Sequence, residues 1–326
     1  MSHIEKPRIA FLVLAHEQFE LLNMFVDQLL TYEQAHVFIH INSNSQESLE
    51  HIRNHPRVHI MQNRLTIDWG DFSLSQAIVE LLRFAQRTDT YDYFSVHSGS
   101  DLAIKPVAQF AALLSSQHKS AYLDCAKLPI AGWGHGGGLE RLGLRYPKWM
   151  RTRANRYSPI RLARVFYQMA YGKRLIGRSL PRDIDYYGGT AWFTIDHSLA
   201  SASLRYLDTH PEYYEPFRDS LCGDEIFFNT LFHIVGEAST FAAGTLRHID
   251  WSVRTHEVGS PKTFTIEDAD TLYESEAFFA RKFSLKVDIE IVNLIAHTDL
   301  FWRQERVRAP DLPHYPLTTT VKKYTV

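Results

Sequence analysis

The sequence has few cysteines and no long apolar run, and these absences exclude several classes of protein. Its two cysteines, Cys125 and Cys222, lie far apart and form no Cys-x-x-Cys motif, so we expect a reducing compartment and no disulfide framework. The first apolar run, residues 9–15, has seven residues and is too short for a membrane-spanning helix or for the apolar region of a signal peptide. We therefore expect a globular cytoplasmic protein.

Common nucleotide and metal motifs are also missing. No Gly-x-Gly-x-x-Gly follows the first predicted strand and no Walker-type Gly-Lys-Ser/Thr occurs, which argues against a dinucleotide enzyme and a P-loop NTPase. There is no His-Glu-x-x-His, and the 17 histidines are scattered, as surface and core histidines usually are. A content of 45% hydrophobic and 13% aromatic residues is sufficient for a large buried core.

One long segment lacks acidic residues. Residues 141–178, the basic segment, contain eleven Lys or Arg and no Asp or Glu, which leaves 24 basic and 37 acidic residues, a formal −13, for the rest of the chain. Aromatic residues are interleaved with these charges. Three interpretations remain open: contact with an anionic membrane face, binding of an acidic glycan, or a solvated basic helix pair with ordinary core aromatics. Nucleic acid is not expected, because no known binding module surrounds the segment.

The apolar pattern predicts alternating strands and helices. Residues 9–15, 36–41, 58–61 and 91–96 are predicted strands, and apolar positions at helical spacing predict intervening helices, 19–30 and 74–85 among them. This alternation favours a mainly parallel α/β sheet flanked by helices. Ligands of such sheets bind at the carboxyl ends of the strands. Here the residues after those ends include His16, Asn42, Trp69 and, in the segment 97–101, Asp101.

Two adjacent carboxylates mark the stretch 221–230. Asp224 is predicted to cap a helix and Glu225 to lie in its first turn, where free N–H groups and the helix dipole favour an ionised carboxylate. An ionised, oriented glutamate can act as a general base. Ordinary helix capping is the alternative that this stretch alone leaves open.

A set of short motifs, in a fixed order, points to a known family. They are Ala15-His16, Ile39-His40-Ile41-Asn42, Trp69-Gly70, Ser98-Gly99-Ser100-Asp101, Gly188-Gly189-Thr190-Ala191-Trp192, Gly223-Asp224-Glu225, Ile249-Asp250-Trp251 and Phe279-Ala280-Arg281-Lys282-Phe283. In this order they resemble the core-2/I-branching β-1,6-N-acetylglucosaminyltransferase family, which includes the peptide xylosyltransferases. The resemblance runs from about residue 8 to residue 283.

The resemblance implies a fold and an activity. It implies a single GT-A-type nucleotide-sugar-binding domain, which we place over residues 1–300. The charge pattern adds a basic helical insertion at about 140–180, and the prolines after residue 308 predict an extended tail over 301–326. The implied reaction is inverting, metal-independent transfer of a sugar, with N-acetylglucosamine as the first expectation, from a UDP-sugar. We expect the acceptor to be a hydroxyl of a bacterial surface glycan or a lipid-linked molecule, and the basic segment leads us to expect contact with the inner face of the cytoplasmic membrane.

The resemblance also implies roles for individual residues. Glu225 matches the catalytic base and Lys282 a diphosphate-binding cation, with Arg281 or Arg254 as the second cation. The other implied donor-site residues are His16, Asn42, Trp69 and Asp101. Residues expected on the acceptor or on sugar faces are Trp192, Trp251 and Asp224, although both tryptophans are equally compatible with buried core positions.

A metal-dependent alternative can be stated from the sequence. Metal-dependent GT-A enzymes carry Asp-x-Asp directly after an apolar strand, whereas residues 97–101 hold one carboxylate. The triplets 183–185 and 268–270 follow no apolar run, so we predict surface or capping carboxylates and expect no divalent metal or other cofactor. The competing hypotheses are a metal-dependent transferase that uses Asp183 and Asp185, donors such as UDP-xylose, UDP-galactose or UDP-glucose, and a catalytically silent nucleotide- or carbohydrate-binding module.

Overall fold

The computed structural model describes residues 6–154, 157–252 and 260–297. Its strands are β1 (Ile9–Ala15), β2 (Ala35–Ile41), β3 (Val58–Ile60), β4 (Tyr93–Ser98), β5 (Asp101–Ala103), β6 (Ala121–Leu123), β7 (Cys125–Lys127), β8 (Tyr187–Gly189), β9 (Thr194–Asp196), β10 (Phe241–Ala243), β11 (Arg247–Ile249) and β12 (Phe279–Arg281). Its α-helices are α1 (Phe19–Leu30), α2 (Ser73–Thr88), α3 (Val107–Gln117), α4 (Leu139–Gly143), α5 (Pro159–Gly172), α6 (His197–Thr209), α7 (Asp224–Val235), α8 (Ala269–Glu274) and α9 (Ile289–Ala296).

A seven-stranded sheet forms the centre of the described chain, in the order β10-β6-β9-β4-β1-β2-β3. Neighbouring strands are parallel except at β9, which is antiparallel to both β4 and β6. The mainly parallel sheet flanked by helices that the sequence predicts is therefore confirmed. β9 inserts one reversed strand into it.

β1 is buried on both faces because its side chains alternate between two apolar cores. Phe11 and Val13 pack in the core that α1 and α3 cover, whereas Leu12 and Leu14 pack in the core under α2, α6 and α7. Helices on both faces leave the carboxyl edge of the sheet as the place where polar side chains collect.

A second sheet, in the order β11-β12-β5, lies at that edge. β5 follows β4 after a turn in which Gly99 donates its N–H to Leu14 O at 2.8 Å. A Cβ on Gly99 would lie 2.7 Å from the Cβ of Ala15, so the turn packs against the end of β1 without room for a side chain. β12 then pairs antiparallel with β5 and sets Arg281 opposite Asp101.

The basic segment contains α4, α5 and a 3₁₀ turn at Lys148–Met150, and it packs against the body of the molecule. Arg151 binds Asp71 at 2.5 Å and lies 3.7 Å from Asp219, while Lys148 lies 3.6 Å from Asp68. A largely buried cation of this segment, Arg151, and an exposed one, Lys148, are thus both paired with acidic residues of the body.

The expectation about the start of α7 is wrong in detail. Asp224 is the first residue of α7 and not its cap, since Gly223 precedes the helix without a side-chain cap. The predicted tail, 301–326, lies outside the described residues. Among the helices of the described ranges, none combines the length and apolar character needed to cross a membrane.

Candidate active site

The residues after β1 and β2 reach the carboxyl edge but have different surroundings. His16 is exposed, with its Nε2 3.5 Å from Glu17 Oε1. The amide of Asn42 donates to Ile67 O at 2.8 Å and accepts from Ile67 N–H at 3.3 Å. Asn42 therefore fastens the segment before Trp69 to the end of β2.

Trp69 is partly buried beside the basic segment. It packs on the small cluster that contains Tyr146, Met150 and Leu221. The guanidinium of Arg164 lies 5.7 Å from the centre of the indole ring, within the range of a cation–π contact. Trp69 thus belongs to the interface between the sheet edge and the basic segment.

A buried polar network, the β4–β5 polar cluster, lies where those two strands meet. Asp101 is fully buried; Ser98 Oγ donates to its Oδ1 at 2.6 Å and His97 Nδ1 lies 3.3 Å from its Oδ2. Arg281 Nε lies 3.6 Å from Asp101 Oδ1. Arg247, also buried, donates through Nη2 to Val96 O at 2.5 Å and to His97 Nε2 at 3.1 Å.

The hydrogen bonds assign the charge states of this cluster. His97 Nε2 accepts from Arg247, so the imidazole proton sits on Nδ1 and points to Asp101. Burial, then the charge of Arg247, lowers the pKa of His97 to about 3, which keeps the ring neutral. Burial opposes ionisation of Asp101, but the His97 hydrogen bond and Arg281 outweigh it and lower the pKa of that carboxyl. Burial lowers the pKa of Arg247 to about 10, so it stays cationic at neutral pH.

Two cations of β12 and its end adjoin this cluster. The Arg281 guanidinium lies 4.0 Å from the centre of the Trp192 ring, and within the described residues it makes the Asp101 ion pair but no hydrogen bond. Lys282 Nζ donates to Ser260 Oγ at 2.8 Å. Trp192 is therefore the surface on which Arg281 rests, which is a different contact from the predicted stacking on a sugar.

The start of α7 holds Glu225 against a partner from the basic segment. Arg141 Nη1 binds Glu225 Oε2, and the Arg141 guanidinium lies 4.2 Å from the centre of the Trp133 ring. Arg141 sits on α4, whose start is held by Glu140: its Oε2 accepts from Gly136 N–H at 3.1 Å and Gly138 N–H at 3.0 Å. The side chain of Glu225 remains 36% exposed, so one buried cation orients a carboxylate that solvent can reach.

The adjacent carboxylate differs from Glu225. Burial, followed by the charge of Glu225, raises the pKa of Asp224 to about 7. The protonated form of Asp224 is therefore more favoured than that of an exposed aspartate. Glu225 forms an ion pair with Arg141, whereas burial governs the protonation of Asp224, so the two neighbouring carboxyl groups are suited to different roles.

Hydrogen bonds connect α7 to both sides of the sheet edge. Asn229 Nδ2 donates to Thr190 O at 3.1 Å, two residues before Trp192. Cys222 N–H donates to Gly70 O at 2.9 Å, next to Trp69. The structure thus brings Glu225, Trp192, Arg281 and Asp101 to one edge.

The predicted alternative metal carboxylates are not part of this arrangement. Asp183 and Asp185 are exposed, and Asp185 binds Lys127 at 2.5 Å on the surface. Asp268 caps the turn at Thr265. Trp251 is 39% exposed, and Arg254 lies outside the described residues. Over 6–154, 157–252 and 260–297, no three His, Cys, Asp or Glu side chains form a group that could hold a metal ion.

The sequence reasoning missed three residues of the site. Arg141 was counted only as one of the basic segment's charges, and His97 and Arg247 were given no site role. One signal was available: an arginine within the predicted strand 246–251 indicates a buried cation that needs a partner. The partners of Arg141 and His97 depend on tertiary contacts.

A mainly parallel sheet with a carboxylate, an arginine and polar strand ends at its carboxyl edge defines an α/β protein of the GT-A, nucleotide-sugar-binding type. The family model described as Core-2/I-Branching enzyme matches residues 9–132 and 144–273. The chain belongs to this family of glycosyltransferases, as its motifs indicate. The gap between the two matched ranges, residues 133–143, contains α4 and Arg141, and Arg281 and Lys282 lie beyond the second range.

Two similar curated proteins are nematode enzymes. The chain is 24% identical over 259 residues to xylosyltransferase sqv-6 of Caenorhabditis briggsae, and 22% identical over 256 residues to xylosyltransferase sqv-6 of Caenorhabditis elegans. These alignments cover 73% and 72% of the chain, but only 29% of each relative. A solved structure from Bacillus anthracis, named as a glucose-1-phosphate thymidylyltransferase with bound sucrose, has a TM-score of 0.34 at 9% identity, covering 72% of this chain and 86% of that one. A TM-score this low does not establish a shared fold.

Proposed function

We propose that the protein transfers a sugar, with inversion and without a metal ion, from a UDP-sugar to a hydroxyl of a glycan or lipid-linked acceptor. The observation that carries the proposal is a solvent-accessible Glu225 carboxylate, oriented by buried Arg141, at the sheet edge that also holds Arg281. N-acetylglucosamine, from the family resemblance, and xylose, from the name of the nematode relatives, are the donors to test first.

In the proposed reaction Glu225 removes the proton of the acceptor hydroxyl as its oxygen bonds to the anomeric carbon. The bond between that carbon and the diphosphate oxygen breaks on the opposite side, and UDP leaves with the electron pair. Negative charge grows on the departing diphosphate, so a cation there stabilises the transition state more than the ground state. We assign this role to Arg281 and Lys282, which lie at the end of β12.

Three observations support these assignments. The Asp101 ion pair and the Trp192 ring hold Arg281 from two sides, which leaves N–H groups of its guanidinium for an anionic ligand. The Ser260 hydroxyl directs Lys282 Nζ. Asp224, with its pKa near 7, suits a hydrogen bond to a sugar hydroxyl, in keeping with the acceptor role proposed for it.

The test is hydrolysis and transfer with a panel of UDP-sugars in the presence of EDTA. We expect one donor to turn over in chelator, with Glu225→Gln lowering kcat by about 10²–10⁴-fold at a nearly unchanged donor KM. Lys282→Ala should lower kcat by about 10²-fold because the leaving diphosphate loses a cation. Asp224→Asn should have a smaller effect than Glu225→Gln, and exposed Glu237→Gln serves as the matched control.

Other outcomes would reject parts of the proposal. Turnover only with added Mn²⁺ or Mg²⁺ would contradict the metal-free mechanism. Asp183 and Asp185 would then be the metal ligands to test. A larger loss in Asp224→Asn than in Glu225→Gln would move the base to Asp224. Donor binding that is unaffected by Glu225→Gln, without turnover of any donor or acceptor, would indicate a silent binding module.

A further inference from the structure

Helix α5 presents its apolar face to solvent. Its large apolar residues recur with spacing i, i+3, i+4 and i+7, which places them on one stripe. These residues, the outward face of α5, are Leu162 (62% exposed), Val165 (36%), Phe166 (69%) and Met169 (36%). On a surface helix such a stripe normally faces the core, and here no described element covers it.

The opposite face of α5, which carries both polar and apolar residues, contacts the protein and fixes the orientation of the helix. Buried Arg164 donates through Nε to Met150 O at 2.6 Å and through Nη2 to Thr152 O. Gln168 Nε2 donates to Tyr146 Oη at 3.2 Å. Rotating the apolar stripe inward would break these hydrogen bonds and leave a buried guanidinium without acceptors, so its exposure is built into the fold.

The apolar surface continues past the end of α5 and has a basic rim. Leu175 is 73% exposed and Ile176 is 42% exposed, directly after Lys173 and Arg174. Lys173, Arg174 and Arg161 form no ion pair with any acidic residue of the described ranges, in contrast to the inner cations Arg141 and Arg151. The segment thus directs paired charges inward and leaves cations beside its exposed apolar residues.

We propose that this surface docks on an anionic membrane. The outward face of α5, with Leu175 and Ile176, enters the boundary between headgroups and acyl chains, while Arg161, Lys173 and Arg174 contact lipid phosphates. An apolar stripe bordered by cations is the arrangement by which helices bind in the plane of a membrane surface.

Two other occupants fit the surface less well. An acidic glycan would use the cations but would leave the Leu162 and Phe166 side chains in water. A second copy of the chain on a two-fold axis would bury the apolar stripe but would bring the same cations together, because a two-fold interface apposes identical patches.

The surface adjoins the candidate active site. Helix α5 packs through Ala163 and Tyr167 on the cluster that contains Leu221 and Cys222, immediately before the carboxylates of α7. A membrane-bound orientation would therefore place Glu225 near lipid-linked acceptors. That consequence rests on the proposed function, whereas the membrane contact itself does not.

The test is co-sedimentation of the full chain with vesicles, either pure phosphatidylcholine or an equimolar mixture with phosphatidylglycerol. We expect binding to the mixed vesicles only, weakened by added salt. Leu162→Ser with Phe166→Ser should lower the apparent affinity at least roughly tenfold, and Lys173→Glu with Arg174→Glu should do so by a similar factor.

Matched controls change equally exposed residues elsewhere. Val287→Ser with Ile289→Ser removes two apolar side chains that are 58% and 54% exposed, and Arg87→Glu with Arg205→Glu makes the same change in net charge. Both should bind as wild type does. Far-UV circular dichroism should match wild type for all four, because the replaced side chains lie on the surface.

Several results would overturn the proposal. The first is an equal loss of binding in control and test variants, and the second is no binding of the wild type to mixed vesicles. The third is a wild-type dimer that does not bind vesicles and that dissociates in Leu162→Ser with Phe166→Ser. Glu225→Gln should bind vesicles like wild type. Its inactivity would then test the proposed function separately, so failure of one proposal is distinguishable from failure of the other.

Discussion

Arg141 and Glu225 form a contact between residues 84 positions apart in sequence. Burial opposes the charge of Arg141, but the carboxylate of Glu225 outweighs it and raises the pKa of the arginine. A buried cation without its partner is strongly unfavourable, so the pair is maintained in the folded protein. We infer that Arg141 positions Glu225 and that the Trp133 ring supports the guanidinium from its other side.

Replacing Arg141 should affect catalysis through Glu225. In Arg141→Met we expect kcat to fall roughly tenfold to a hundredfold at a similar donor KM, because the carboxylate is no longer held in one direction. Arg141→Lys keeps the charge and should give an intermediate kcat. Steady-state kinetics of the three proteins, with kcat and donor KM measured separately, test both expectations.

Arg151→Met is the matched control, because Arg151 is another largely buried cation of the basic segment, paired with Asp71. It should lower stability while leaving kcat close to that of wild type. An equal fall of kcat in Arg141→Met and Arg151→Met, without recovery in Arg141→Lys, would show that Arg141 has only a structural role.

The sequence allows prediction of Glu225, Asp101 and Arg281, but not of the other charged residues of the site. Glu225 stands out because a helix start favours a carboxylate, and Asp101 because it follows a strand in a sheet whose ligands bind at that edge. Arg141 and Arg247 could not be predicted: Arg141 is one of eleven similar charges in its segment, and Arg247 reaches His97 across 150 positions. Only the folded chain selects the arginine that becomes buried next to each acceptor.

Two elements with a clear apolar pattern, β1 and α1, have the bounds that the sequence predicts. The ends of other elements are shifted: α2, predicted at 74–85, is Ser73–Thr88, and β4, predicted at 91–96, is Tyr93–Ser98. Three-residue strands such as β5 and β12 show no period, so their pairing, which sets Arg281 opposite Asp101, follows only from tertiary packing.

The chain turns into α7 at Cys222, one residue before the glycine that precedes the helix. Gly223 has φ −69°, whereas Cys222 adopts the left-handed conformation with φ 53°. Glycine is needed at 223 for space, since a Cβ there would lie 2.0 Å from Ser220 Oγ. With the turn made one residue earlier, Asp224 becomes helical instead of capping.

The anchoring of α7 to β8 gives a prediction about stability. The hydroxyl of buried Thr230 accepts from Tyr187 N–H at 3.0 Å and donates to Tyr187 O at 3.2 Å. Thr230→Val keeps the shape and leaves both backbone groups without a partner, so we expect the free energy of unfolding to fall by about 1–3 kcal/mol. Urea denaturation measures this change.

Thr88→Val is the control, since Thr88 is exposed and its hydroxyl donates to Phe84 O at 2.9 Å at the end of α2. This variant should change the free energy of unfolding by no more than about 0.5 kcal/mol. Equal effects of the two substitutions would mean that the Thr230 hydrogen bonds do not anchor α7.

At the scale of the whole molecule, the alternation of strands and helices was sufficient to predict the class of fold, but not how the basic segment joins it. Its inner ion pairs connect residues about 80 positions apart, Arg151 to Asp71 and Arg141 to Glu225. Such contacts leave no local pattern. The segment's charge could be counted from the sequence, but its division into an inner paired set and an outer rim follows from the structure.

Neutral histidines buried near the sheet make the stability of the whole chain depend on pH. His40 is fully buried, and its Nε2 accepts from Leu65 N–H at 2.9 Å. Burial lowers the pKa of His40 from 6.5 to about 4, and burial together with the adjacent His59 lowers the pKa of His36 to about 4 as well. His97 behaves in the same way, with a pKa of about 3.

The sign of the effect follows from proton binding. An unfolded chain protonates these histidines near pH 6.5, whereas the native chain does not until about pH 4, so the stabilisation is complete above 6.5 and is lost as pH falls towards 4. We expect His40 alone to account for on the order of 2–3 kcal/mol of this loss. The glutamine in His40→Gln can still accept from Leu65 N–H but does not titrate. Between pH 6.5 and 4 its free energy of unfolding should therefore fall less than that of wild type, by the amount that His40 contributes. The exposed control His51→Gln should behave as wild type does. Urea denaturation at a series of pH values measures the slope, and an unchanged slope in His40→Gln would mean that His40 does not titrate as a buried neutral group.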